Sequence, residues 1–502
     1  MKGGRTRALV VGGGIGGLSA AMVLAARGIA VRLLEGADTW GGKAGEVSVD
    51  GVSFDTGPSL LTLPHVLETL FEWVGRRLDE RVQLRSLSPA FRYHYPDGVV
   101  LDVHHDMEET AASVKAVLGG KAADDFVSFL AYAKRIWEAS APHFVFGDAP
   151  SVRSLLRRGP GAFLKLPRID ATRSMQSALR RRVRSPHLRK LFARYATYNG
   201  SDVRCAPATL HCIAHVELGL GGYGVEGGVH TLVQAMVTIC QELGVEMETG
   251  ARVASIRKVG SRANGVYLED GRLLEADVVV CNTEARHLFN DLLSKPSESS
   301  SPGPSSMSAW NGVFAAKRAG RDAPHSVFFP EQYGAEFAAI FDDRAVPDQP
   351  AIYVCNQTLA HGRPGWSDAD PLFVMVNAPS VQEGAGEGDW GRIRAQVRER
   401  LETRGLLSSG APLVWERTPA RLAQRFPGSD GSLYGEASNS LWSAFRRPAN
   451  RVDGVRGLYL ASGSAHPGGG VPLCVLSGMA AARAVFEDSG QTELATPLRV
   501  RG

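Results

Sequence analysis

Cysteine is scarce in this chain of 502 residues. Its six cysteines, Cys205, Cys212, Cys240, Cys281, Cys355 and Cys474, lie far apart. They form no C-x-x-C pair and no metal-ligand spacing, which excludes a disulfide framework, and no metal site is expected. Long apolar runs are missing too. A membrane-spanning helix needs about 18 consecutive apolar residues, and the longest candidates are cut by Arg27 and Arg483. Behind the basic start from Met1 to Arg7 the apolar run is only Ala8 to Val11, too short for a cleavable signal peptide. Neither sign of charge dominates: 56 Lys and Arg against 52 Asp and Glu leave +4, which alone points to no particular partner. With 44% hydrophobic and 22% charged residues, the composition is globular and excludes bulk disorder. At about 150 residues per domain the length corresponds to three units or two larger ones.

Glycine, by contrast, is abundant, with 57 residues, and its placement carries the organisation. Val10-Val11-Gly12-Gly13-Gly14-Ile15-Gly16-Gly17-Leu18 holds G-x-G-x-x-G at Gly12, Gly14 and Gly17, between a strand at 8–11 and a small-residue helix at 17–27 stopped by Gly28. The first glycine makes the tight turn, the second lets backbone approach a pyrophosphate, and the third lets helix pack on strand. The helix N-terminus then presents unpaired N–H groups to the anion. A second strand at 29–34 ends at Glu35, where a carboxylate can accept from ribose hydroxyls. This unit predicts dinucleotide binding.

Trp40-Gly41-Gly42-Lys43-Ala44-Gly45 and Phe54-Asp55-Thr56-Gly57-Pro58 each read alone as turns. Their closeness to the dinucleotide loop makes them candidates for flavin-side contacts, with Lys43 able to meet phosphate. The pattern at 91–103, around Pro96-Asp97-Gly98, predicts a hairpin. Strands at 245–248, 253–257, 265–269 and 278–280 return to the texture of a nucleotide domain, and the serine-rich stretch 295–308 reads as a loop between domains. Near the other end, strand Leu458-Tyr459-Leu460 runs into Ala461-Ser462-Gly463-Ser464-Ala465-His466-Pro467-Gly468-Gly469-Gly470-Val471-Pro472 and an apolar helix at 473–485. Such a loop feeds backbone N–H groups into a helix start and suits an electron-rich group.

Together these stretches resemble the FAD-dependent carotenoid desaturases, the family of bacterial phytoene desaturases and hydroxycarotenoid 3,4-desaturases. The matching residues are Val10 to Leu18 with Glu35, Gly41-Gly42-Lys43, Asp55 to Leu60, Val225-Glu226-Gly227-Gly228, Val266 to Gly271 and Gly463 to Gly478. They span nearly the whole chain, and the closing His466-Pro467-Gly468-Gly469-Gly470-Val471-Pro472 is the most specific. The resemblance implies an α/β fold: a discontinuous Rossmann-type FAD-binding domain of the glutathione-reductase-like kind, with an inserted α+β substrate domain. The expected division is 1–90, 221–290 and 450–502 for FAD, and 91–220 with 291–449 for substrate. FAD would be held by Gly12, Gly14, Gly17, Glu35, Gly42, Lys43, Gly57, Pro58, Val253, Gly463, Gly470, Val471 and Pro472.

The substrate implied is a lipid-soluble acyclic carotenoid, whose hydride passes to flavin N5 and thence to oxygen or a quinone. Asp55 to Pro58 and Tyr195 to Gly200 resemble phytoene desaturases, whereas Gly431 to Ser438 and Val471 to Gly478 resemble the 1-hydroxycarotenoid 3,4-desaturase branch, which is the preferred expectation. A carotenoid oxygenase or ketolase, a flavin amine oxidase, and a cofactor-free binding protein such as the Rab-GDP dissociation inhibitors are the alternatives; the intact glycine set argues against the last. Family members lack an agreed catalytic base. Glu226 and His466 are the polar residues expected nearest the flavin. Each also has a plain reading, as a helix-start carboxylate and as a loop imidazole bonded to backbone.

The small net charge conceals a local bias. Between Arg153 and Arg194, 13 basic residues accompany one acid, Asp170, so this segment carries +12 and the remainder −8. Leu155-Leu156-Arg157-Arg158 and Phe163-Leu164-Lys165-Leu166 interleave basic with apolar residues, as an in-plane interfacial helix does. At an anionic lipid surface each such Lys or Arg contributes about 1 kcal/mol. The expectation is a peripheral protein on the cytoplasmic side of a membrane, engaged through residues 153–194. A solvated basic face is the plain alternative, and no nucleic-acid motif accompanies the charge.

Overall fold

In the computed structural model, which describes residues 6–150, 169–293, 303–317, 323–381, 388–440 and 443–490, the apolar run after Arg7 forms strand β1 (Arg7–Val11). Helix α1 (Ile15–Ala26) and strand β2 (Ala30–Leu34) follow. Helix α1 is apolar all round, and such a helix needs cover on every side. The sheet covers one side, and helices His230–Glu242 and Val471–Asp488 pack on the others. Strand β1 is the middle of a five-stranded sheet in the order Glu246–Glu248, β2, β1, Val278–Cys281, Leu458–Leu460, with every pair parallel. A parallel sheet is buried on both faces, which is why its central strands read as continuous apolar runs.

The carboxyl ends of these strands deliver the glycine loop at 12–17, Glu35, Asn282 and the closing loop after Leu460 to one edge. In open parallel sheets that edge is where ligands sit.

A second, seven-stranded sheet runs in the order Leu413–Arg417, Ser308–Lys317, Ala369–Ala378, Ile352–Asn356, His325–Phe328, Phe91–His94, Val100–Val103. All its pairs are antiparallel except His325–Phe328 with Phe91–His94. The hairpin expected at 91–103 is therefore the edge of a much larger sheet. Strand alternation sends Trp310, Phe314 and Val374 to one face, where they meet Ile393, Val397 and Leu401 of helix Trp390–Thr403. Asn311, Phe373 and Met375 point to the other face, toward the first sheet's ligand edge.

Three details differ from the sequence reading. The closing helix begins at Val471 rather than 473, because Pro472 suits a first helical turn whose N–H groups have no intrahelical partner. Ser308 opens a ten-residue strand instead of ending the serine-rich loop; residues 295–302 of that loop lie outside the described residues. The interfacial helix expected from Leu155 to Leu166, with Arg153, Arg157, Arg158, Lys165 and Arg168, also lies outside them. In the described half of the basic segment, much of the charge is used in folding contacts. Arg173 pairs with Asp170, Arg184 with Asp125 at 2.7 Å, and Arg194 with Glu217 at 3.3 Å. Lys190 donates to the Pro330 carbonyl at 2.9 Å. Arg180, Arg181 and Arg182 are exposed. Among the described residues, no helix is long and apolar enough to cross a membrane.

Candidate active site

One continuous cavity of about 480 Å³ lies between the two sheets, a volume within the usual range for cofactor and small-molecule sites. Gly12, Gly14, Glu35, Gly42, Lys43, Gly57, Pro58, Val253, Gly463, Gly470, Val471 and Pro472 all line it. Gly17 lies just behind, where a Cβ would collide with the Gly12 carbonyl. Gly12 has φ +99°, and a Cβ there would meet the Asn282 carbonyl oxygen at 2.9 Å; one on Gly14 would meet Asn282 Oδ1 at 2.5 Å. The loop is thus held as a side-chain-free cradle.

Glu35 closes this cradle by accepting from Gly13 N–H and Ala37 N–H, each at 2.8 Å. Helix α1 is preceded by Gly14 and helix Val471–Asp488 by Gly470 at the capping position, and neither has a side-chain cap among the described residues. Their first N–H groups therefore remain available to an anion or an electron-rich ring.

These features fit FAD. The cradle admits a pyrophosphate against bare backbone at the α1 terminus, Glu35 retains acceptor capacity for ribose, and the second helix N-terminus faces the other end of the same cavity.

Other placements depart from the sequence reading. Lys43 Nζ donates to Glu284 Oε1 at 2.7 Å and to the Ser432 carbonyl at 3.0 Å. Its charge is thus neutralised by Glu284 and is not held free for phosphate. Glu226 does not line the cavity; its half-exposed carboxylate is paired with Arg85 at 2.5 Å. The helix-start contact assigned to Glu226 is made by Asp55, which accepts from Val229 N–H at 2.6 Å and His230 N–H at 3.2 Å. His466 is buried away from the cavity, its Nε2 against the Gly147 carbonyl at 2.9 Å, and burial lowers its pKa.

Several cavity residues had no signal in the sequence. Asn282 bonds the Ala461 carbonyl and packs against the glycine loop; its one cue was a polar residue at the carboxyl end of an apolar strand. Arg417 donates to the Thr56 carbonyl at 2.5 Å, and burial pulls its pKa down to about 10. The far wall carries Val327, Tyr333, Tyr353, Phe373 and Met375, an apolar and aromatic surface interrupted by Asn311, Asn377 and Arg194.

Behind Asn377 lies Glu336, fully buried, which accepts from Asn377 Nδ2 at 2.8 Å and Ala351 N–H at 2.6 Å. Burial raises its pKa from 4.5 to about 7, outweighing both hydrogen bonds. A raised folded-state pKa means that stability is fully present below the unfolded value and is lost as pH rises through the folded one. Between pH 4.5 and about 7 the protein is expected to lose roughly 3 kcal/mol through this group. In urea titrations Glu336→Gln should remove that slope; an unchanged slope would assign it to another group.

Residues 15–309 match the family described as flavin containing amine oxidoreductase. The chain is 33% identical to the hydroxyneurosporene desaturase of Rubrivivax gelatinosus, over 99% of this chain and 96% of that protein. It is 29% identical to the 4,4'-diaponeurosporene oxygenase of Staphylococcus aureus, over 94% and 96%. Among solved structures, putrescine oxidase bound to putrescine superposes with a TM-score of 0.61 at 14% identity, covering 96% of this chain and 99% of that one.

The two-sheet architecture and the glycine cradle with its paired helix N-termini define a flavin-dependent oxidoreductase of the amine-oxidase type, with FAD as its cofactor. The relatives above span essentially the full length of both partners. The chain belongs to the FAD-dependent carotenoid desaturases.

Proposed function

We propose that the protein desaturates an acyclic carotenoid bearing a terminal hydroxyl, at the 3,4 bond. The observation that carries this reading is the continuity of one cavity from the FAD cradle to an apolar, aromatic sheet face, a surface that suits a polyene. Hydroxyneurosporene desaturases from three bacteria are 33–34% identical over nearly their whole length, which supports the hydroxylated branch.

Bound FAD supplies the hydride acceptor. The chain's own residues position the polyene against it and exclude water. Among the described residues, the two carboxylates lining the cavity are both engaged, Glu35 with backbone N–H groups and Glu284 with Lys43.

The proposed layout is a Rossmann-type FAD part from 1–90, 221–290 and 450–502, with an inserted substrate part from 91–220 and 291–449. The lipid-soluble substrate and the basic bias of residues 153–194, of which Arg180, Arg181 and Arg182 are exposed, support peripheral attachment at the cytoplasmic face of a membrane.

The test uses FAD-loaded protein in liposomes, with oxygen or a quinone as electron acceptor. A 1-hydroxylated acyclic carotenoid is expected to shift its absorption to the red and lose the mass of H₂, while phytoene stays unchanged. Turnover of phytoene alone would move the protein to the other desaturase branch. Gain of oxygen in the product would establish the oxygenase reading, favoured by the Staphylococcus relative, and no change with either carotenoid would remove the desaturase reading.

A further inference from the structure

We propose that Asn311 is the residue that recognises the terminal hydroxyl of the carotenoid, and so sets the preference for a hydroxylated over an unhydroxylated chain end. The inference rests on the function proposed above. Asn311 lies inside the seven-stranded sheet, paired with Met375 on one side and Arg417 on the other. It is 2% exposed and lines the cavity among Val327, Phe373 and Met375. Asparagine is a poor strand residue, and a buried carboxamide is costly unless bonded. Yet its Oδ1 has no hydrogen-bond partner among the described residues.

Neighbouring polar groups on this wall are differently placed. Tyr353 hydroxyl is engaged by Ser59 at 2.5 Å and His325 Nδ1 at 2.8 Å, and Asn377 Nδ2 by Glu336. Asn311 belongs to the cavity lining with its Oδ1 unbonded. That oxygen is an acceptor with no donor among the described residues. A ligand hydroxyl can donate to it, whereas a hydrocarbon end leaves it unpaired.

The position suits the reaction as well. Arg417, directly across from Asn311, binds the Thr56 carbonyl, next in the chain to Gly57 and Pro58, which line the cofactor end of the cavity. Adjacent strands are about 4.8 Å apart, so the Arg417 side chain bridges the space from the strand beside Asn311 to the Thr56–Gly57 backbone. A 3,4-desaturation requires the hydroxyl site and the cofactor end to be neighbours, because the bond that must reach the cofactor lies near the hydroxyl-bearing carbon.

Asn311→Leu, close in shape and lacking the carboxamide, tests the proposal. It removes an unpaired polar group, so the folded state is expected to be no less stable than the original. Two quantities are measured for a 1-hydroxylated carotenoid and for its parent lacking the hydroxyl: kcat/KM with FAD-loaded protein, and equilibrium binding by quenching of tryptophan fluorescence with the bound FAD chemically reduced so that no turnover occurs. The original protein is expected to favour the hydroxylated carotenoid by about 10-fold or more. Asn311→Leu should bring that ratio to near unity in both measurements while the parent binds unchanged or tighter. Asn311→Ser, which keeps a hydrogen-bonding group, should retain part of the preference, and it decides the matter if the leucine variant does not fold.

A preference that survives in both variants overturns the role of Asn311 and leaves the desaturase reading intact. Equal loss for both carotenoids overturns it too, since the residue would then act on the whole cavity. Failure of the unaltered protein to turn over either carotenoid removes the functional reading itself, and this inference with it.

Discussion

Replacing Glu35 with alanine is expected to weaken FAD binding by at least about 100-fold, measured by titrating FAD into flavin-free protein and following the quenching of flavin fluorescence. The carboxylate accepts two backbone N–H groups, from Gly13 inside the glycine loop and Ala37 after strand β2. Hydrogen bonds to a charged acceptor contribute about 1.5–3 kcal/mol each, and every 1.4 kcal/mol is about tenfold in affinity. Their loss frees the loop whose shape admits the pyrophosphate, and the same substitution deletes the acceptor for ribose. Glu35→Gln keeps one acceptor oxygen but turns an NH₂ group toward the second N–H, so it should fall between the two. The glycines cannot compensate, because they supply room and not bonds: a Cβ on Gly14 would meet Asn282 Oδ1 at 2.5 Å. An alanine variant that binds FAD within about threefold of the original would show that the loop keeps its shape without the carboxylate.

This cradle was legible from the amino-acid sequence because every part of it is local. Gly12, Gly14 and Gly17 are placed by strand β1 and helix α1 on either side, and Glu35 by the end of β2. A short stretch of chain contains both the constraint and its cause. The closing loop was legible for the same reason, a strand, a glycine run and a helix in immediate succession. Side chains whose direction depends on distant partners were not. Glu226 stands beside a glycine pair that resembles the family, but Arg85, 141 positions away, draws it to the surface. His466 belongs to the most specific motif in the chain, yet the Gly147 carbonyl, 319 positions away, turns its ring from the cavity. Asp55 lay within a stretch read as a turn, and its role depends on a helix that begins near residue 230. Asn311, Asn282 and Arg417 are single polar residues within or beside strands. Their meaning appears only when strands distant in sequence are laid side by side, since period-two alternation assigns a face and not a neighbour.

The buried charge pair of Arg194, at the cavity wall, and Glu217 is the feature whose disruption is expected to cost the most stability. Arg194 donates from Nη2 to Tyr93 hydroxyl at 2.9 Å, Tyr198 hydroxyl at 3.1 Å and Glu217 Oε1 at 3.3 Å. Glu217 also accepts from Tyr195 at 2.8 Å and from Tyr198. Burial pushes the Tyr195 and Tyr198 hydroxyls well above their ordinary pKa, so they stay protonated and serve as donors. The guanidinium is surrounded by the rings of Phe91, Tyr93, Tyr195 and Tyr198, with centroids at 5.0–5.5 Å.

Removing the acid alone leaves a cation buried among phenols, and breaking one side of such a pair costs about 3–5 kcal/mol. Glu217→Ala is therefore expected to lower the urea midpoint sharply. Replacing both partners with apolar residues, Arg194→Met with Glu217→Leu, should recover most of the loss, because neither charge then remains to be desolvated. FAD affinity at low temperature should change little in either variant, since neither Arg194 nor Glu217 touches the glycine cradle. If Glu217→Ala loses less than about 1 kcal/mol, the ring faces and hydroxyls suffice for Arg194, and the pair is not what holds this wall. If the double variant is as unstable as the single one, the loss comes from the tyrosine hydroxyls left without their acceptor, and the carboxylate's main role is to order Tyr195 and the cavity-lining Tyr198.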